Sequence, residues 1–297
     1  MSLEHTLPES FIGVIAGFEG VSDGYTAVHA PTGCKFYPAS VAEDMYVHTS
    51  SSLPRNRNPL TMGSVYFFAQ PRVPCTYLDM DAFVSGASVR LRDMMATVDE
   101  FKPSVVGVMN SPGASLVGED LTALESRCPV AVVEHAEYSG TLADGFQDAV
   151  LALLKAIPPE RRSERHGVNI TGLSISHLRW NDTLDDLTRL LNLCGVHVNR
   201  CVGAGWSAQD IRDSADAELT VSVYPEYGDR ICEFYEREYG IPSYTCPEGA
   251  PIGFTALESW IKGICERVGA DPSPALKEIS LKRRRTADAP MGRLLCS

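Results

Sequence analysis

The sequence predicts an α/β protein in which parallel β-sheets are flanked by helices. Short valine-rich runs, at residues 104–109 and 130–133, are typical of buried parallel strands. Such runs alternate with longer segments of helical periodicity, which is the pattern of βαβ units. A chain of 297 residues has room for about two domains. We therefore expect two Rossmann-like domains.

The predicted first domain covers residues 1–160. Its expected strands and helices alternate from the first helix onward, and a polar loop at 48–62 interrupts them. The predicted strands end at residue 29 or cover 63–69, 104–109 and 130–133, and the predicted helices cover 8–20, 37–46, 87–100, 116–127 and 142–156.

A charged segment at 158–166 marks the expected domain boundary, and the second domain is predicted to cover 161–272. Residues 273–297 are expected to be a basic tail or the truncated start of a third domain. The predicted strands of the second domain cover 168–172, 197–201 and 219–223, and its helices cover 183–193, 208–214, 228–239 and 252–268.

Composition narrows the function classes. A net charge of −12 argues against nucleic-acid binding, and the basic run 282–285 is interpreted as a solvated surface. No apolar run is long enough to span a bilayer and no leader peptide is evident, so we expect a cytoplasmic protein with no membrane association. The nine cysteines show no CxxC or zinc spacing, which predicts reduced thiols.

Cys34 has the most informative position among these cysteines. The predicted strand ending at His29 is followed by Pro31 and Gly33, which break the strand just before Cys34. This arrangement puts the thiol at the carboxyl end of a sheet, where open α/β sheets bind their ligands. Cys34 is therefore either a small buried apolar residue or a ligand or reactive thiolate.

Several segments in a fixed order carry a family resemblance. They are His29-Ala-Pro-Thr-Gly-Cys34, Leu78-Asp-Met-Asp-Ala-Phe-Val-Ser-Gly86, Val108 to Asp120, Glu137 to Gly145, Ser207-Ala-Gln-Asp-Ile211 and Tyr239-Gly-Ile-Pro242. Together, over about residues 8–270, they resemble the nitrogenase component 1 superfamily. That superfamily includes the MoFe-protein subunits, the protochlorophyllide and chlorophyllide reductases, the nickel-tetrapyrrole reductive cyclase and cofactor-assembly scaffolds.

The chain also departs from the family pattern. Residues 110–112 stand where the family has its third cluster cysteine, and Tyr224 stands near the position of the cofactor cysteine of MoFe α-subunits. The family's third domain is absent from this sequence. Dinitrogen reduction is therefore disfavoured.

The resemblance implies an iron–sulfur cluster, which we expect to be 4Fe–4S. Cys34 is the first candidate ligand and Cys75 the second, with Asp79 or Asp81 as possible oxygen ligands. Family clusters lie at subunit interfaces, so a dimer would supply two cysteines from each chain. Alternatively, Cys75 is an ordinary loop thiol and the cluster has been lost.

Histidines and aromatic residues complete the predicted site. His29 is expected to act as a proton donor or an outer partner of the cluster, or else only to bond a backbone carbonyl. A substrate cleft between the domains is predicted from a second group, unless those residues serve ordinary packing. In that cleft His177 and Tyr224 are the catalytic candidates, and Arg179, Trp180 and Glu226 are the substrate-binding candidates.

These expectations combine into one predicted function. The resemblance implies a reductase subunit that takes electrons from an ATP-dependent iron protein and passes them through the cluster to a substrate, with a tetrapyrrole preferred. The expected assembly is a homo-oligomer or a hetero-oligomer with a homologous subunit. The alternatives are a scaffold for cluster or metallocofactor assembly, and a degenerate subunit that pairs with a catalytic homologue.

Overall fold

The structure is a computed structural model that describes residues 10–31, 33–34, 73–134, 140–162 and 164–287. The predicted helix 37–46 and strand 63–69 lie outside these residues. The described chain forms two α/β units, each built on a parallel sheet. In the described part of the chain, no helix has both the length and the apolar character needed to cross a bilayer.

The first unit has a three-stranded parallel sheet of order β1-β2-β3. Its register pairs Gly24 with Val105 and His29 with Asn110, so β1 and β2 end at the same level. The elements are α1 (Ser10–Glu19), β1 (Gly24–His29), α2 (Met80–Ser85), α3 (Ser88–Glu100), β2 (Val105–Asn110), α4 (Pro112–Ser115), β3 (Val130–Val133) and α5 (Leu142–Ala156).

The second unit has a four-stranded parallel sheet of order β5-β4-β6-β7. The chain leaves β4 toward one side and returns to its other side as β6, so the topological switch point lies between β4 and β6. The elements are β4 (Val168–Thr171), α6 (Trp180–Leu193), β5 (Val198–Val202), α7 (Ala208–Asp213), β6 (Leu219–Ser222), α8 (Pro225–Tyr239), β7 (Ser243–Tyr244), α9 (Gly253–Val268) and α10 (Ser273–Ala287).

Helices α1 and α5 join the two units. They pack so closely that a Cβ atom placed on Gly13 would lie 2.0 Å from the Leu142 carbonyl oxygen, so only glycine fits there. One apolar core includes Phe18 and Phe146 from these helices together with Ile231 and Tyr235 of α8. The two units therefore share a core instead of meeting through a loose linker.

Two sequence predictions about helices are wrong. The predicted helix 116–127 is absent, because Gly118 adopts φ +77° and Asp120 instead caps a single 3₁₀ turn, Leu121–Ala123. The predicted basic tail begins with a helix, α10, whose Ala275 and Ile279 are buried in the second core. Their spacing of four residues marks one apolar face beneath the exposed charges.

Candidate functional site

The carboxyl end of β1 is extended by a second backbone segment. Residues 74–78 run parallel to it, with hydrogen bonds from the Thr76 N–H to the Val28 carbonyl (3.2 Å) and from the Leu78 N–H to the Ala30 carbonyl (3.0 Å). This pairing brings Cys75 to the same sheet edge as Cys34, although 40 residues separate them in sequence. Non-local pairing of this kind creates sites that sequence order alone does not reveal.

The two predicted cysteine ligands lie on this corner. Cys75 is 7% exposed, its thiol donates to the Ala30 carbonyl (3.1 Å), and its sulfur accepts from the Tyr77 N–H (3.4 Å). Cys34 is half-buried against the first core, and its N–H donates to the Pro31 carbonyl (3.1 Å). Ala30 and Pro31 thus hold both thiol-bearing segments at one place.

The two predicted aspartate ligands are placed differently. Asp79 caps α2 by accepting from the Ala82 N–H (3.0 Å) and forms an ion pair with Arg90 (2.7 Å). The hydrogen bond from Arg90 is the main cause that lowers the pKa of Asp79. Asp81 is exposed on α2. No three cysteine, histidine or carboxylate side chains converge on a common metal position within the described ranges.

His29 is buried at the end of β1, with 1% of its surface exposed. Its Nδ1 lies 3.0 Å from the Thr76 hydroxyl oxygen, which also accepts from the Ala30 N–H (3.1 Å). Burial lowers the pKa of His29 to about 4, and the Glu119 carboxylate offsets this only in part. Its Nε2 has no hydrogen-bond partner among the described residues. His29 is therefore neutral at pH 7, and Nε2 is the ring atom left to bond another group.

The carboxyl edge of the second sheet holds an aromatic group. The His177 ring lies 4.6 Å from the Tyr224 ring and 4.5 Å from the Tyr227 ring, edge-on to both. Its Nδ1 accepts from the Ser174 N–H (3.2 Å), and burial lowers its pKa to about 4. Burial, and secondly the Glu226 carboxylate, raises the pKa of Tyr224. Tyr224 is thus held as a phenol and His177 as a neutral imidazole.

The structure brings together only part of the predicted substrate cleft. Glu226 is exposed two residues after Tyr224. Arg179 is exposed, adopts φ +56° and pairs with Asp182 (2.6 Å). Trp180 is only 3% exposed and packs in the second core, where its ring fills the space next to Gly205.

Gln147 is a functional neighbour that the sequence analysis missed. Its side-chain amide donates to the Glu226 carbonyl (2.9 Å) and accepts from the Arg230 N–H (2.9 Å), which ties α5 to the start of α8. A signal existed, because Gln147 is a polar residue on the buried face of α5 between Ala143 and Val150. Thr76, which orients His29, showed no comparable signal, since it falls in an irregular segment.

Comparison with known proteins adds a family to this geometry. The model of the family "Nitrogenase component 1 type Oxidoreductase" matches residues 10–292. The B subunit of light-independent protochlorophyllide reductase from Synechococcus sp. (strain CC9311) is 29% identical over 227 residues, covering 68% of this chain and 42% of that protein. Its counterpart from Chloroflexus aggregans is 30% identical over 208 residues, covering 67% of this chain and 38% of that protein.

A solved structure shares the fold. The structure of nitrogenase Cp1 at pH 5 superposes with a TM-score of 0.69 at 20% identity, and the match covers 94% of this chain and 55% of that one. The chain thus spans less than half the length of the protochlorophyllide reductase subunits and about half of this structure. The family match over almost the whole chain shows that it belongs to the nitrogenase component 1 type oxidoreductases.

Proposed function

We propose that this chain is a subunit of a nitrogenase-like reductase that takes electrons from an ATP-dependent iron protein and passes them through an iron–sulfur cluster to a bound substrate. The observation that carries the proposal is the β1 corner, where Cys75 and Cys34 lie on the same two backbone residues, Ala30 and Pro31. Thiolates are the usual ligands of such clusters.

The described residues fit half of a four-ligand set. Cys34 and Cys75 would hold the cluster, while Asp79 is already engaged by Arg90. A cluster would supply one-electron transfer when bound. We assign the remaining ligands to a homologous subunit facing the same corner.

Exposed apolar side chains near this corner support a partner subunit. Met80, Val84 and Leu116 are 76%, 83% and 86% exposed, and they lie on α2 and on the turn after α4. The buried sides of these two elements pack together through Ala82 and Ala114. A face built in this way is typical of a surface that another protein covers. A homologous subunit seated there would bring its own ligands to the cluster.

His29 and the aromatic group take separate roles in this proposal. Neutral His29 would offer Nε2 to the cluster side of the corner, which tunes the potential without adding a charge. Tyr224 would be the proton donor at the substrate, because it remains protonated while His177 does not. The substrate would be a tetrapyrrole, the class acted on by the protochlorophyllide reductases that the chain resembles.

The first experiment measures iron and acid-labile sulfide after anaerobic purification. Wild-type protein should hold a cluster, and Cys34→Ala and Cys75→Ala should each lose most of it. Cys128→Ala is the matched control, because this half-buried thiol lies beside β3 and hydrogen-bonds Ser126. Equal iron content in all four proteins would contradict the cluster assignment.

The second experiment tests turnover. Cluster-loaded protein, an iron protein and ATP should together reduce protochlorophyllide in an anaerobic assay. A protein that holds a cluster but shows no ATP-dependent reduction, and instead transfers the cluster to an apo-acceptor, would be an assembly scaffold. A protein that binds no cluster and acts only with a homologue would be the degenerate subunit.

A further inference from the structure

A cavity of about 420 Å³ lies along β5, the outer strand of the second sheet, between α6 and α7. Trp180 and Asp185 of α6, Arg200 of β5 and Trp206 before α7 contribute to its walls. Its volume is in the range of small-molecule pockets. None of the residues of the cluster corner or of the His177–Tyr224 pair lines it.

The two tryptophans on its walls carry unsatisfied donors. Trp180 and Trp206 are 3% and 2% exposed, and neither indole nitrogen has a hydrogen-bond partner within the described residues. Trp260, the third tryptophan of the chain, is also buried but donates to the Ser222 carbonyl (3.0 Å). Buried donors are nearly always satisfied in folded proteins. Two unsatisfied donors on one cavity therefore point to acceptor atoms on a ligand.

The charges around the cavity restrict that ligand. Arg200 is neutralised, because its guanidinium lies 2.7 Å from an Asp210 oxygen and 3.3 Å from an Asp213 oxygen. Asp185 forms no ion pair with any residue that the structure describes and remains as a carboxylate acceptor. The cavity consequently disfavours anions and favours an N–H donor near Asp185.

We propose that this cavity binds an uncharged purine base or nucleoside. A purine has flat faces for an indole-lined pocket, ring nitrogens that accept from indole N–H groups, and an exocyclic amine that donates to a carboxylate. A phosphate group would face the Asp185 carboxylate and is excluded from the proposal. This site does not depend on the proposed reductase function.

The test uses adenosine and adenosine 5′-monophosphate as probes. Adenosine should quench the intrinsic fluorescence, since two of the three tryptophans line the cavity. Calorimetric titration should show weaker binding of the monophosphate. Trp206→Phe and Trp180→Phe, which remove the donors, should each weaken adenosine binding about tenfold. Trp260→Phe is the matched control and should leave the affinity unchanged.

A second variant keeps the proposal testable if the tryptophan variants fail to fold. Asp185→Asn on the exposed side of α6 should improve monophosphate binding relative to adenosine by about fivefold. Asp186→Asn, one residue further on the same helix and outside the cavity lining, should not. No adenosine binding up to its solubility limit, or binding that neither Asp185→Asn nor the tryptophan changes affect, would overturn the proposal.

Discussion

The carboxyl edges of the two sheets differ in how far they are finished. At the first edge, His29 leaves one ring nitrogen without a described partner, and the nearby helix α2 exposes Met80 and Val84. At the second edge, His177 packs between two tyrosines, and Gln147 locks the start of α8 to α5. The first edge therefore has features of a surface that awaits another component, and the second is a self-contained scaffold for chemistry.

The difference also appears in the backbone. The first edge is built from a regular strand and an added segment, residues 74–78, which contains Tyr77 at φ +50°. Arg90 holds this segment by donating to the Tyr77 carbonyl (2.6 Å) and to Asp79 (2.7 Å). The second edge needs no such clamp, because β4 and β6 lie next to each other in the sheet and lead directly into α6 and α8. The first edge is assembled from distant segments, and the second from neighbouring ones.

The largest expected effect tests the chemical role of the second edge. Tyr224→Phe should lower the reductase rate by about 10²-fold or more, because it removes the proposed proton donor. Iron content should stay at the wild-type level, since the residue lies on the other sheet. Anaerobic single-turnover assays measure both quantities. A Tyr224→Phe protein with unchanged rate would show that the proton comes from elsewhere.

The next prediction concerns pH and the first edge. His29 has a pKa of about 4 when folded and about 6.5 when unfolded, so the unfolded chain binds the extra proton between these values. The free energy of unfolding should fall as pH drops from about 6.5 to about 4, by about 3 kcal/mol for this residue. His177 shifts in the same direction. His29→Gln should therefore make this acid limb about half as steep.

Urea unfolding of cluster-free protein between pH 7.5 and pH 4 measures this slope. His197→Gln serves as the control because that side chain is exposed. An acid limb equally steep in the His29→Gln protein and the wild type would rule out neutral burial of His29.

A smaller effect should follow from loosening the second edge. Gln147→Leu leaves the Glu226 carbonyl and the Arg230 N–H without their side-chain partner and should cost about 2 kcal/mol in unfolding free energy. Asp148→Ala, at the next position, breaks only the partly exposed ion pair with Arg230 and should cost under about 1 kcal/mol. Chemical unfolding at pH 7 compares the two, and equal costs would mean that Gln147 does not join the units.

The smallest effect separates the two thiols of the first edge. In cluster-free protein, Cys75→Ala should cost about 1–2 kcal/mol, because the side chain is buried and its thiol bonds the Ala30 carbonyl. Cys34→Ala should cost less than about 1 kcal/mol, because this side chain is only half-buried. Thermal unfolding under reducing conditions provides the comparison. A larger cost at Cys34 would reverse the assigned burial of the corner.

Local sequence patterns determined most of the secondary structure. The capping pair Ser207 and Asp210 fixes the start of α7 as expected, since both reciprocal hydrogen bonds of a capping box form. The predicted helices 87–100 and 142–156 correspond to α3 and α5, because their apolar residues repeat at helical spacing. The strand ending at His29 and the position of Cys34 after it also follow from the chain itself.

Tertiary structure decided which distant residues share an edge. Nothing local places Thr76 against His29, because their contact depends on a segment that returns to β1 after more than 40 residues. Trp180 was expected at an open cleft, yet the close approach of Gly205 buries it, and this distinction depends on packing and not on residue type. Hydrophobic periodicity is local and can be read along the chain, whereas burial and neutral histidines arise only when the two sheets share a core.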